Sequence, residues 1–303
     1  MEDKIVQNFH RLLEGFPPLQ ERWAKLVTKM SSERRPLVSA PIPRGTYAPS
    51  GPGDKRSPCP LINYLANHGY IARNGQNTPA PELNAAMNEI GLSTALGAVF
   101  AQPIYNLHQN SRTLQLRKKM RFFQQLWCLI RNPWAILSKF GMRRWDQKNR
   151  AGKCVLDLDQ LALPGVVEHD ISLTRRDHLQ KEGNSTAQAD LVQNLLKCSK
   201  DGQNLTMEDL AALRKRRIQQ QLDDNPGLHY GSPQHQIACT EIALILDIFG
   251  NGKSIPCDYA RALFQEERLP VEEGWRKRWW WTLGFSELAG TVSKVKGLVG
   301  LKI

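Results

Sequence analysis

Nearly every apolar stretch of this chain repeats at helical spacing, and the two-residue alternation of half-buried strands is rare. Phe9, Leu12, Leu13 and Phe16 share one helical face before Pro17 and Pro18 interrupt it, so residues 1–30 read as helical. From Arg34 to Pro60 the prolines and glycines of PLVSAPIPRGTYAPSGPGDKRSPCP describe an extended strap. A short helix is expected from Pro60 to about His68, and a longer one from about Pro81 to Phe100. Thr206 with Asp209 three residues on forms a capping-box variant that opens a helix ending near Asn225-Pro226-Gly227. Another helix runs from about Gln234 to Phe249 and stops at Gly250, and a last one precedes EERLPVEEGW. There is no internal repeat. These readings make an essentially all-α domain.

The chain has 303 residues, 41% hydrophobic and 23% charged, enough for a sizeable core and too apolar for a disordered chain. No stretch reaches the roughly 20 apolar residues that span a bilayer, and the start carries acids where a signal peptide has its apolar centre. The expectation is an intracellular protein, in which the sequons at Asn184 and Asn204 are without consequence. The six cysteines are scattered without a CxxC pair, so neither a zinc site nor a disulfide framework is indicated.

The formal charge of +12 is local. Residues 112–150 hold eleven lysines and arginines against one acid, Asp146. Phe122, Phe123, Leu126, Trp127, Leu129 and Ile130 are interleaved with them, as in an amphipathic surface element. RKRWWWTLGF and the tail VSKVKGLVGLKI continue the theme. Peripheral membrane contact through 112–150 and the C-terminal tail is the expectation, with an ordinary solvated helix face as the alternative. No recognised nucleic-acid motif accompanies the segment, so no nucleic-acid partner is expected.

Cys59 stands between two prolines at the mouth of a helix. Pro60 suits the first helical position, which makes Cys59 the N-cap and aims the free amides of Leu61 and Ile62 at its sulfur. The positive end of the helix dipole favours a thiolate there, fit to act as nucleophile or as iron ligand. An apolar stripe of Leu61, Ile62, Leu65 and Ala66 anchors the helix, and Gly69 can close it in left-handed conformation. A second candidate is Glu241, whose helix places Leu244, Ile245 and Ile248 at i+3, i+4 and i+7. A carboxylate on so greasy a stripe is either paired or used in proton transfer.

The stretch PCPLINYLANHGYIARNG resembles the signature PCPxLNxLANHGYxPRxG of the fungal heme-thiolate peroxidase family, chloroperoxidase and the unspecific peroxygenases, with Ile62 and Ala72 as departures. EHDIS, Glu168 to Ser172, resembles that family's second motif in its chloroperoxidase and short-peroxygenase version. The resemblance runs from about Ser57 to Trp275. It implies a single chloroperoxidase-like helical domain over 46–275 enclosing one heme b, with a helical extension and strap over 1–45, the basic insertion, and a basic-aromatic tail over 276–303.

The resemblance also implies roles. Cys59 is the axial iron ligand, and Leu61 and Ile62 are expected to bind the cofactor with it. Glu168, a backbone carbonyl at His169, and Ser172 bind Mg²⁺ or Mn²⁺ near a heme propionate. In the family's halogenating branch the residues matching His169 and Asp170 orient a distal acid-base glutamate, for which Glu241 is the candidate here. His68 is expected to be a hydrogen-bonded structural residue, and Val99, Phe100, Ile242 and Ile245 are candidate pocket residues. The implied activity is oxidation of a hydrophobic organic substrate by H₂O₂, by oxygen insertion or phenolic oxidation; a place in a biosynthetic pathway is an expectation that rests on the missing export signal alone. A halogenating enzyme is the alternative, and a catalytically silent membrane- or RNA-binding protein on the same scaffold is the rival from another class.

Overall fold

The computed structural model describes residues 42–109, 132–164, 166, 170–228 and 230–301. The chain divides at Pro43 into Met1–Pro43 and Arg44–Ile303. The expected N-terminal helix, most of the basic insertion, and Glu168 and His169 of the second motif lie outside the described residues.

Arg44–Ile303 is mostly helical. In chain order its main elements are α1 (Pro60–Asn67), strand β1 (Thr78–Pro79), α2 (Ala80–Glu89), α3 (Thr94–Ala101), β2 (Val155–Leu156), α4 (Ala189–Leu196), β3 (Asn204–Thr206), α5 (Met207–Asp224), α6 (Ser232–Phe249), β4 (Ser254–Pro256), α7 (Cys257–Phe264) and α8 (Phe285–Val299). Two short antiparallel ladders, β1 with β2 and β3 with β4, pin the ends of these helices. Three 3₁₀ turns, Pro103–Tyr105, Pro133–Phe140 and Leu158–Ala162, connect them.

The helix boundaries follow local chemistry. Pro60 opens α1, and Gly69 takes the left-handed conformation, φ +66°, just past its end. Thr206 and Asp209 cap α5 reciprocally, the threonine oxygen accepting from the Asp209 amide at 3.2 Å. The expected single helix from Pro81 to Phe100 is instead two. Gly91 turns the chain at φ +100°, Ser93 caps α3 by accepting from the Leu96 amide at 3.2 Å, and the Ser93 amide bonds to the Leu283 carbonyl. The segment read as a tail contains α8, which buries Leu288, Val292, Val295 and Val299. Thr291 of α8 donates to the buried Asp247 carboxylate of α6 at 3.0 Å.

The core positions the site by joining α1 to α6. Tyr64 of α1 meets Phe249 of α6 edge-on at 6.2 Å, and Phe249 packs on Trp275 at 5.3 Å. The Trp275 indole donates to the Ile248 carbonyl at 2.9 Å, so its polar atom is satisfied within the core. Each of these large side chains contributes roughly 1.5–3 kcal/mol by leaving water. The same packing fixes the approach of the two helices that carry Cys59 and Glu241.

Candidate active site

Cys59 is the N-cap of α1, with extended backbone at φ −78° and ψ 110°. The loop before it is locked. Asn63, one turn into α1, accepts from the Ser57 amide at 2.8 Å and donates to the Ser57 carbonyl at 2.9 Å. The Ser57 hydroxyl oxygen in turn accepts from the Cys59 amide at 2.9 Å. Asn63 also donates to the Glu267 carboxylate at 3.0 Å, and Glu267 pairs with the fully buried Arg175. Glu267 itself sits at φ +49°, a conformation costly for a residue with a side chain. A buried ion pair thus holds the clamp that holds the cysteine.

His68 is used structurally, as expected. Its Nδ1 bonds to the Gly45 carbonyl at 2.8 Å and its Nε2 accepts from the Leu269 amide at 3.0 Å. Burial lowers its pKa, in keeping with a neutral ring.

The sulfur faces two cavities. The larger, about 300 Å³, is lined by Cys59, Leu61, Ile62, Val99, Phe100 and Glu241 among other largely apolar residues. The smaller, about 90 Å³, also touches Cys59 and Glu241 and adds Ser172, Arg214, Ile242 and Ile245. All four residues expected to line the pocket do so, two in each cavity. Glu241 therefore stands where a carboxylate can reach the space in front of the sulfur.

The electrostatics correct one expectation. Burial, and next the Glu241 charge, push the Cys59 thiol up to about 11. The amides of Ile62 and Leu61, and then Arg175, pull the other way without offsetting this. The helix end therefore moderates the cost of a thiolate and does not by itself sustain one.

The second motif is partly visible. Asp170 is buried and accepts from the His178 amide at 2.8 Å, with His178 Nδ1 at 2.6 Å from its other oxygen. Ile171 adopts φ +58°, a rare conformation for a β-branched residue. It is held by its amide donating to Asp177 at 2.8 Å and its carbonyl accepting from Arg214. Ser172 lines the smaller cavity, and its hydroxyl oxygen lies 3.3 Å from the Thr174 amide. Glu168 and His169 lie outside the described residues.

Sequence reasoning missed Asn63, Arg175, Glu267 and Arg214. Arg214 is buried, lines the smaller cavity, and keeps a buried Nε without a hydrogen-bond partner. The signal for the arginines was weak, since each lies in a segment that reads as an ordinary charged stretch.

Residues 45–279 match the model of the family described as peroxidase, family 2. The chain belongs to that family. It is 26% identical over 237 residues to an aromatic peroxygenase of Coprinellus radians, covering 76% of this chain and 82% of the relative. It is 26% identical over 279 residues to an aromatic peroxygenase of Cyclocybe aegerita, covering 88% of this chain and 64% of the relative. A chloroperoxidase of Leptoxyphium fumago is 28% identical over 140 residues, 46% of this chain and 28% of that protein. Family membership makes the chain an oxidoreductase of the peroxidase–peroxygenase class and implies heme held by a thiolate. The site fits such a group, since a sulfur donor, two amides acting on it, an apolar wall and an unpartnered buried guanidinium nitrogen converge on the cavities.

Asn63→Ala removes the clamp on Ser57 and leaves the Ser57 amide and Glu267 short of partners. It is expected to lower folding stability by about 3 kcal/mol. Urea denaturation checks this, and a loss under about 1 kcal/mol contradicts the clamp.

Proposed function

We propose that this protein uses H₂O₂ to oxidise a hydrophobic organic molecule at a heme b held through Cys59. The observation that carries this reading is that Cys59 and Glu241, from separate helices, line the same two cavities. Bound there, the heme supplies peroxide activation, with the thiolate donating electron density that favours O–O cleavage. The chain's residues supply the rest. Cys59 binds, and the amides of Leu61 and Ile62 with Arg175 ease its negative charge. The Glu241 carboxylate accepts a proton of hydrogen peroxide and returns it to the leaving oxygen. Leu61, Ile62 and Phe100 exclude water and favour an apolar substrate.

The second motif has a supporting role in this reading. Glu168, the His169 carbonyl and Ser172 hold Mg²⁺ or Mn²⁺, hard cations suited to oxygen ligands. Asp170, together with His169, positions the proton-transfer group. Burial of Asp170 and the strained backbone at Ile171 support a loop held in one shape. The apolar lining favours organic oxygenation over halide oxidation. A lipophilic substrate also suits membrane contact, supported by exposed Trp279, Trp280 and Trp281 beside Arg276, Lys277 and Arg278.

Glu241→Gln is expected to keep its heme and lose peroxide-dependent turnover by roughly 10²–10⁴-fold. Unchanged turnover refutes the proton-transfer role. Running the wild-type assay with and without bromide separates the oxygenating from the halogenating enzyme, and oxygenated product in both is expected. For the membrane reading, alanine at Arg117, Lys118, Lys119 and Arg121 should abolish flotation with anionic liposomes, and retained flotation contradicts it.

A further inference from the structure

Helix α8 lies beyond residue 279, where the family match ends. It is nevertheless built into the site's surroundings. Its buried face packs on the body of the domain, Thr291 bonds to Asp247, and Arg278 ties Glu287 of α8 at 2.6 Å to the Asp247 carbonyl at 2.6 Å. Further along, Lys296 donates to the Gln236 side chain of α6 at 3.1 Å.

Between α3, α6 and α8 runs a surface groove of about 560 Å³. Phe285, Leu288 and Val292 of α8 form one wall. Val99, Phe100, Gln236 and Thr240 line this groove and also the 300 Å³ cavity that contains Cys59 and Glu241. On α6 the stripe Gln236, Thr240, Glu241 and Leu244 leads from the groove inward over two turns, about 12 Å. The two spaces are neighbours across shared side chains. Phe285 and Val99 stay substantially exposed along this path, an apolar surface that a substrate can cover.

We propose that α8 completes an outer substrate-binding groove, so that the substrate is an elongated apolar molecule, its reacting end beside Glu241 and its remainder lying along α8. This rests on the oxidative reading above. Lys296 and Gln236 set a polar point beside the junction of the two spaces, where an acceptor group part-way along the substrate is satisfied. Each methylene buried in the groove raises affinity about fourfold. Selectivity for length thus resides in a helix that the family match does not include.

Ala289 lines the groove and is exposed, so Ala289→Trp narrows it without disturbing the core. Lys294→Trp places the same bulk on α8 at an exposed position away from the groove and serves as control. The heme-loaded full chain is assayed with phenol and para-dodecylphenol, which share one reaction and differ in the tail. Binding of dansylundecanoic acid is followed by fluorescence. Ala289→Trp is expected to lower the dodecylphenol-to-phenol ratio of kcat/KM, and dansylundecanoate affinity, by about tenfold or more. Lys294→Trp should leave both measures as in the wild type. An unchanged ratio and affinity in Ala289→Trp, or equal losses in the two variants, overturn the groove. Should wild-type protein oxidise neither phenol, the oxidative reading fails, and the fluorescence comparison alone decides whether α8 binds the chain.

Discussion

The buried pair of Arg175 and Glu267 is the constraint on which the site depends. Arg175 has no access to solvent, so its charge needs a partner, and Glu267 supplies it while adopting a strained backbone. The same carboxylate receives Asn63, and the Glu267 carbonyl receives Asn67 at 2.9 Å. Glu267 thereby ties the loop after α7 to the first helix of the domain at two points. The position of the cysteine sulfur is a consequence of a charge that cannot be left alone.

That scaffold holds the sulfur in a place unfavourable to an anion. Low polarity and the facing Glu241 charge oppose ionisation, while two amides and Arg175 only partly offset them. Binding of a cationic metal centre is then coupled to loss of the thiol proton, as for any ligand that must deprotonate. The arrangement disfavours a free reactive thiolate, which suits the proposed ligand role of Cys59. It also keeps Glu241 close enough to matter electrostatically, which proton transfer in the same space requires.

Much of this was legible in the sequence because it was written locally. Pro60 after Cys59 fixed a helix start, Thr206 and Asp209 fixed another, and the stripe around Glu241 put a carboxylate against apolar walls. What stayed hidden depends on distant partners. Asn63 meets Glu267 across 204 positions, and Arg175 meets it across 92, so no spacing rule reveals either. The break between α2 and α3 was missed because a glycine and a serine in an apolar run look tolerable until the Leu283 carbonyl claims the Ser93 amide. α8 was read as a tail because its lysines and glycines mask Leu288, Val292, Val295 and Val299, whose burial shows only against α5 and α6.

The inner cavities bring apolar surface, a sulfur donor and one carboxylate together, with the outer groove beside them across shared side chains, and the chemistry assigned to them stands on sulfur ligation. The carbon monoxide difference spectrum of the reduced, heme-loaded protein tests it most directly. The account predicts the strongly red-shifted band of a thiolate-bound iron in the wild type and its disappearance in Cys59→Ala. An unshifted band in the wild type, or a red-shifted band that survives Cys59→Ala, contradicts it.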